Sequence, residues 1–440
     1  MTTPLAAAEL RVESPGQVAA AAKKAQPGDV IVLADGTYRS TEMVFHAQGT
    51  SERPITLRAA TPGKVLLGGS SCLRIAGSHL VVEGLYFWNG FHPEGLISFR
   101  HGLRHEAQHC RVTQCGVVDC NPSGEEPTTS WIALFGTHNR VDHCVIQGKL
   151  NNGPALSVWI DPDQKEPNFH QIDHNYFGPR PTLRNHDSGE VIRIGQGTAP
   201  SVATRILVET NLFDQCAGGL DIINNYGAET AFRGNTFLRS TGSLTLRACQ
   251  HCLVADNYFI GVGALQSGGV RVSGEEHTVA NNYFNTLLGQ GGLAPIALMD
   301  GSSSVKSGGS LPARHCVISG NVIARCQQAF CIGSPRPDTR RSHDDRLPPQ
   351  DCTLSENVAV EVRGKIIDQH SPAERLTWRS NVYSSDELGV GATPEAWTAL
   401  PIPLGARAGL AWPQHAIARG PQAPPVASAD IGPSWFSLKP

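Results

Sequence analysis

Apolar and polar residues alternate in short runs along the chain, and one phrase keeps returning. An alternating apolar stretch is followed by Asn, then by an aromatic or aliphatic residue two places on. It reads His170-Gln-Ile-Asp-His-Asn175-Tyr-Phe177, Ile206-Leu-Val-Glu-Thr-Asn211-Leu-Phe213, Phe232-Arg-Gly-Asn235-Thr-Phe237, Leu253-Val-Ala-Asp-Asn257-Tyr-Phe259 and Thr278-Val-Ala-Asn-Asn282-Tyr-Phe284. Further copies centre on Asn321, Asn357 and Asn381, and earlier ones place Gly84, Cys115 and Cys144 in the Asn slot. Successive copies stand no closer than about 22 residues, with extra residues inserted irregularly. A period-two pattern of this length predicts short strands, and a repeat of this size predicts a solenoid.

The expected fold is all-β: a single-stranded right-handed parallel β-helix with three short strands per coil. Val, Ile and Phe face inward, where stacked coils make the core, and the extra residues form loops at one corner. An Asn at the same corner of every coil can bond the backbone of its own turn and of its stacked neighbour, satisfying amides that no sheet partner reaches. A propeller would need four strands per ~40–45 residues, and a leucine-rich repeat would need leucines at fixed offsets.

The ends read differently. Pro15–Lys24 forms a short amphipathic helix that closes the first coil, since an open sheet edge invites pairing with another chain. Pro401, Pro403, Pro413, Pro421, Pro424 and Pro425 mark an extended tail, with Trp412 and Trp435 as anchors back onto the solenoid. The expected organisation is an N-terminal cap over 1–27, the β-helix over 28–385 and a packed tail over 386–440.

Composition narrows the function. The 440 residues carry 36 Lys+Arg against 39 Asp+Glu, a net charge of -3, with no basic block of the kind that binds nucleic acid. No apolar run reaches the ~18 residues of a membrane span. The first residues lack a charged and apolar leader, which fits a secreted or periplasmic protein whose signal peptide has been removed, with a cytoplasmic location as the alternative. The 12 cysteines form no compact disulfide framework, and Cys249 and Cys252 make a lone C-x-x-C, so buried thiols acting as small hydrophobes are expected.

A β-helix has no inherent pocket, so chemistry is expected on the loops and the groove they border. The densest polar segment is Arg184-Asn-His-Asp-Ser-Gly-Glu-Val-Ile-Arg193. Later coils add Asp221, Arg247 and Arg271, spaced close to one coil apart and therefore expected in one vertical column. Lys306 lies in a Gly/Ser-rich loop that would reach over the groove, and Trp159 and Trp131 would either stack on sugar rings or fill the base of a loop.

Taken together, Asp35-Gly-Thr-Tyr38, Pro54-Ile-Thr-Leu-Arg-Ala59, Gly189-Glu-Val-Ile-Arg-Ile-Gly195, Phe232–Phe237 and His277–Phe284 resemble polysaccharide lyase family 6, which holds alginate lyases and chondroitinase B. The likeness covers roughly residues 10 to 385, and the Gly189–Ile194 phrase is closer to the alginate branch. It implies a β-helix and β-elimination on an acidic, uronate-containing polysaccharide. Calcium held by acids neutralises the uronate carboxylate, a Lys removes the C5 proton and an Arg assists at the glycosidic oxygen. Coil for coil, the catalytic Arg falls on Arg247 and the second substrate Arg on Arg271. The metal acids fall on Asp187, Glu190, Gly219 and Asp221, the Lys on Tyr226, and a His expected after the Arg on Ala248.

The departures leave three readings. A lyase would use Tyr226 as base beside Arg247, with Asp221 supporting and Arg271, Arg193, Lys306 and Trp159 holding the sugar. A glycoside hydrolase or transglycosidase would use two of Asp187, Glu190 and Asp221, one protonated and one ionised. A non-catalytic glycan binder would pair its arginines with uronate carboxylates. Calcium on Asp187, Glu190 and Asp221 and a metal-independent site both stay open, because calcium takes ~6–8 oxygens.

Overall fold

The computed structural model describes residues 7–124, 128–184, 189–196, 202–302, 311–334, 346–373, 375–384, 388–389, 397–399, 421 and 423–437. Its strands form three long sheets of fourteen, fifteen and fourteen strands among the described residues. Pairing along each runs almost wholly parallel between successive coils, the architecture expected from the repeat. A representative coil passes through Gly242–Gln250 in the second sheet, Leu253–Ala255 in the first and Tyr258–Ile260 in the third.

What holds the coils in register is the corner between the first and third sheets. Each ladder Asn accepts the backbone N–H of the Asn one coil earlier: Asn211 to Asn235 at 3.1 Å, Asn235 to Asn257 at 2.9 Å, Asn257 to Asn282 at 3.0 Å. The side-chain Nδ2 of Asn257 donates to Phe232 O, Ala255 O and Asn282 Oδ1. The ladder runs from Asn175 to Asn381, and at its lower end Cys144 N donates to Asn175 Oδ1. The residue before each Asn takes a positive φ (Thr210, 53°; Asp256, 58°; Glu356, 57°), a costly conformation that the buried amide ladder over-determines. Two residues beyond, Phe177, Phe213, Phe237, Phe259 and Phe284 stack in parallel with centroids 4.5–4.9 Å apart.

All twelve cysteines are buried and unbridged. Most occupy corners: Cys110, Cys252, Cys316 and Cys352 where the chain enters the first sheet, Cys115 and Cys144 in the Asn slot, Cys120, Cys216 and Cys326 where it leaves the third. There the thiol behaves as more than a small hydrophobe. It donates to the carbonyl two residues back, as Cys144 Sγ does to Asp142 O at 3.2 Å and Cys326 Sγ to Ala324 O at 3.4 Å. His170 and His277 fill the same kind of slot, their Nδ1 atoms accepting from Asn139 N and Cys252 N.

At the N-terminus a 3-10 turn Pro15–Gln17 leads into helix Val18–Ala22, which buries Val18 and Ala22. Strand Glu9–Val12 already pairs with Val30–Leu33, and Trp397–Ala399 pairs with Asn381–Ser384. Sheet stacking therefore begins before residue 28 and continues past 385. Trp412 lies outside the described residues. The described tail runs back down the outer face of the third sheet: Tyr258 Oη donates to Ala423 O, Val426 N to Thr236 Oγ1, Gly432 N to His174 O and Trp435 Nε1 to Gln114 O. Ile431 completes an outward apolar patch of Val118, Val145, Tyr176 and Leu212. Among the described residues no helix is long and apolar enough to cross a membrane.

Asn257→Ala should lower unfolding stability by about 2–4 kcal/mol, read from denaturant midpoints, because it strands one buried N–H and two carbonyls. His170 gives a second outcome. Burial, with a smaller contribution from His138, pushes its pKa down to about 3. The folded value lies below the unfolded 6.5, so the unfolded chain takes up the proton first. Stability is full above that value and declines as pH falls toward about 3, by up to ~1.4 kcal/mol per pH unit. His170→Asn, the residue Asn139 already supplies one coil earlier, should flatten this acid limb in denaturant melts collected across the window.

Candidate active site

The groove lies on the outer face of the second sheet and has a volume of about 700 Å³. Its floor comes from Ile192–Ile194, Asp221–Asn225, Gly242–Gln250 and Ser267–Glu275, whose inward residues Ile192, Ile194, Ile223, Leu244, Leu246, Val270 and Val272 are buried in the core. Alternation then turns Arg193, Asn224, Thr245 and Arg271 outward. Strand pairing sets these four on successive rungs of one column.

That register corrects the single column expected for Asp221, Arg247 and Arg271. Asp221 pairs with Ser243, and the register shifts between Asp221 and Ile223. Arg271 pairs with Thr245, while Arg247 sits two residues further along its strand. The three begin in three neighbouring columns, because spacing in sequence does not reveal a bulge. Their side chains nevertheless converge. Arg247 Nη2 donates to Asp221 Oδ2 at 2.8 Å, Arg271 Nη1 reaches Asp221 Oδ1 at 3.5 Å and Thr245 Oγ1 donates to Asp221 Oδ1 at 2.5 Å.

The second acid is equally engaged. Arg193 Nη2 donates to both oxygens of Glu190, at 2.6 and 2.7 Å, and Asn224 Nδ2 donates to Oε1 at 3.1 Å. Asn224 Oδ1 in turn accepts from Arg247 Nε at 3.2 Å. The result is one hydrogen-bonded chain, Arg193–Glu190–Asn224–Arg247–Asp221–Arg271, with three guanidinium groups to two carboxylates. Burial works against the charge of Arg247, but Asp221, then Tyr226 and Glu190, more than offset it, so its pKa is raised. For Arg271 burial wins over Asp221 and the pKa is lowered.

Tyr226 and Arg247 occupy consecutive rungs of the next column and both line the groove. Trp159 lines it too and is 45% exposed, whereas Trp131 is buried with Lys149 Nζ 5.3 Å from its ring, so Trp131 fills the loop base. His251 and His315 are turn residues with positive φ. Asp187 and Lys306 lie outside the described residues. Asn224 and Thr245, the polar links of the network, were not singled out from sequence. The Ile222-Ile-Asn-Asn-Tyr226 run carries a signal for the first, since a polar pair interrupts an apolar strand there.

The sequence pattern of the chondroitinase B family matches residues 12–397. The chain belongs to this family, polysaccharide lyase family 6. No curated protein matches the chain in sequence. Among solved structures, the family 6 alginate lyase AlyGC superposes with a TM-score of 0.89 at 32% identity, over 98% of this chain and 59% of that one. The chain thus spans 59% of the length of AlyGC. A mannuronic acid-specific family 6 lyase from human gut microbiota gives 0.81 at 27% identity, over 98% and 97% of the two chains. Pedsa3628 from Pseudopedobacter saltans, at 22% identity and a TM-score of 0.78, shows the fold alone.

The family likeness implies a calcium ion, and the donor set tests it. Calcium takes ~6–8 oxygen ligands and favours uncommitted carboxylates. Glu190 and Asp221 each accept from guanidinium groups on both oxygens, with Asn224 and Thr245 adding further donors. A dication placed there would face three cations. The described residues do not fit calcium. A terbium luminescence titration should accordingly show no saturable site at micromolar metal.

Proposed function

We propose that the protein is a polysaccharide lyase that cleaves an acidic, uronate-containing, alginate-like polysaccharide by β-elimination, with guanidinium groups in the place of a metal. The observation that carries this reading is the excess of arginine over carboxylate in a single network bordered by Tyr226. A C5 proton beside a carboxylate is a weak acid because the carbanion forms next to negative charge. Preorganised cations on that carboxylate let it become an enediolate. Arg247 and Arg193, already oriented by Asp221 and Glu190, are the groups to supply them.

Tyr226 is the proton-transfer group. A phenol acts as a base only with a cation beside it, and Arg247 on the next rung provides one. Tyr226 takes the C5 proton, the electron pair forms the C4–C5 double bond, the C4–O4 bond breaks and the leaving O4 takes that proton from the Tyr226 hydroxyl. Hydrolysis would instead need a carboxyl group free to carry a proton. Glu190 and Asp221 are both committed to arginines, so the network favours elimination. The family membership and the alginate lyases among its structural relatives support an alginate-like substrate.

The test is to incubate the protein with alginate, chondroitin, dermatan and a neutral glucan, following ultraviolet absorbance and reducing ends together. Rising absorbance on a uronate polymer is expected. New reducing ends without it would overturn the reading in favour of hydrolysis. Tyr226→Phe should lower kcat by ~10²–10⁴-fold with KM little changed. Arg247→Ala should cost ~10²–10³-fold.

A further inference from the structure

The column that carries Tyr226 and Arg247 contains an open rung. Trp159 N donates to Leu134 O, Gly195 N to Val158 O and Tyr226 N to Ile194 O, so Phe135, Trp159, Gly195, Tyr226 and Arg247 follow one another coil by coil. Below them Arg100 places its guanidinium carbon 3.8 Å over the Phe135 ring. On the other face of Phe135 lies Trp159, with centroids 5.5 Å apart and planes 11° from parallel. The rings therefore face along the helix axis. One face of Trp159 is covered by Phe135, and the other looks toward the rung of Gly195, which has no side chain.

Glycine suits this position because its φ is 73°, a conformation that L side chains rarely adopt; an added Cβ would also meet the tip of the flexible Ile160 side chain, 2.6 Å from Cδ1. Rungs are about 4.8 Å apart, so the backbones of Trp159 and Tyr226 stand about 9.6 Å from each other, enough for one flat ring between them. Arg193, in the middle of strand Ile192–Ile194, lies two residues before Gly195, with its guanidinium already aimed by Glu190.

We propose that the Gly195 rung is the seat of one uronate ring, stacked face-on against Trp159 with its carboxylate directed to Arg193. This rests on the lyase reading and deepens it. A pyranose lying flat on Trp159 has its plane perpendicular to the helix axis. The polysaccharide therefore crosses the second sheet along the strand direction, between the Trp159 rung and the Tyr226 rung. The Phe135–Arg100 stack beneath holds the Trp159 ring at its angle, as an offset aromatic pair and a cation over a ring face do. The ligand class is an anionic pyranose chain with an apolar ring face, read by one aromatic and one guanidinium.

The test uses the full chain and, as probes, saturated mannuronate and guluronate tetrasaccharides with cellotetraose as the uncharged control. Binding is read by calorimetry and by tryptophan fluorescence, neither of which needs turnover. Wild type should bind at least one uronate probe more tightly than cellotetraose. Trp159→Ala should weaken that binding by about 10–100-fold, the worth of one stacked aromatic face, while Trp159→Phe stays within about threefold. Arg193→Gln should remove the preference over cellotetraose. Unchanged affinity in Trp159→Ala would overturn the proposal, as would equal loss in Trp159→Ala and Trp159→Phe, which marks a packing role. Phe135→Leu provides an independent check should Trp159→Ala fold poorly: it removes the support beneath Trp159 and should weaken uronate binding, and unchanged affinity there counts against the stack. Intact binding without ultraviolet-absorbing product would sink the elimination chemistry and leave this subsite standing.

Discussion

Every turn of a solenoid exposes backbone groups that no neighbouring strand can reach, and in this molecule they are buried. A buried amide without a partner costs about as much as a lost hydrogen bond several times over, so the turns must be satisfied from within. The Asn ladder does this by using each side chain twice, once for its own turn and once for the coil before. Because the ladder bonds one coil to the next at a single residue, it sets the register of all three sheets. The outward columns of the second sheet inherit that register. The convergence of Arg247 and Arg271 on Asp221, and the step from Trp159 to Gly195 to Tyr226, are consequences of a hydrogen-bonding rule enforced on the far side of the coil.

The same constraint accounts for the unusual cysteine content. A corner slot admits only a small or tightly bonded side chain, and Asn, Ser, Thr, Cys and a neutral His each fit with a local acceptor or donor. Thiols that look scattered along the sequence mostly line up at corners in space, where Cys144, Cys252, Cys316, Cys326 and Cys352 give their weak S–H to a carbonyl two residues back.

In the groove the governing balance is electrostatic. Two nearly buried carboxylates would be costly alone, and three partly buried guanidiniums would repel one another; interleaved through Asn224 they offset one another and fix each other's orientation. With three guanidiniums to two carboxylates, the described network keeps a surplus of positive charge facing the groove.

Much of the fold was legible in the chain itself. The Asn-x-Phe phrase at its minimum spacing determined the solenoid, the inward Val, Ile and Phe positions and the ladder corner, because period-two alternation and a repeated polar slot are local properties. The densest polar segment and the coil spacing singled out Glu190, Arg193, Asp221, Arg247 and Arg271, and the family resemblance added Tyr226. Which column each occupies was decided only in three dimensions. A bulge between Asp221 and Ile223 leaves the composition of its strand unremarkable yet sets Asp221 opposite Ser243, while Asn224 and Arg271 stay beside Thr245. Likewise the linking role of Asn224, between Glu190 and Arg247, and the bare rung at Gly195 depend on residues of different coils meeting. Sequence distance counts residues along the loops between coils, whereas the contacts follow the hydrogen bonds across them.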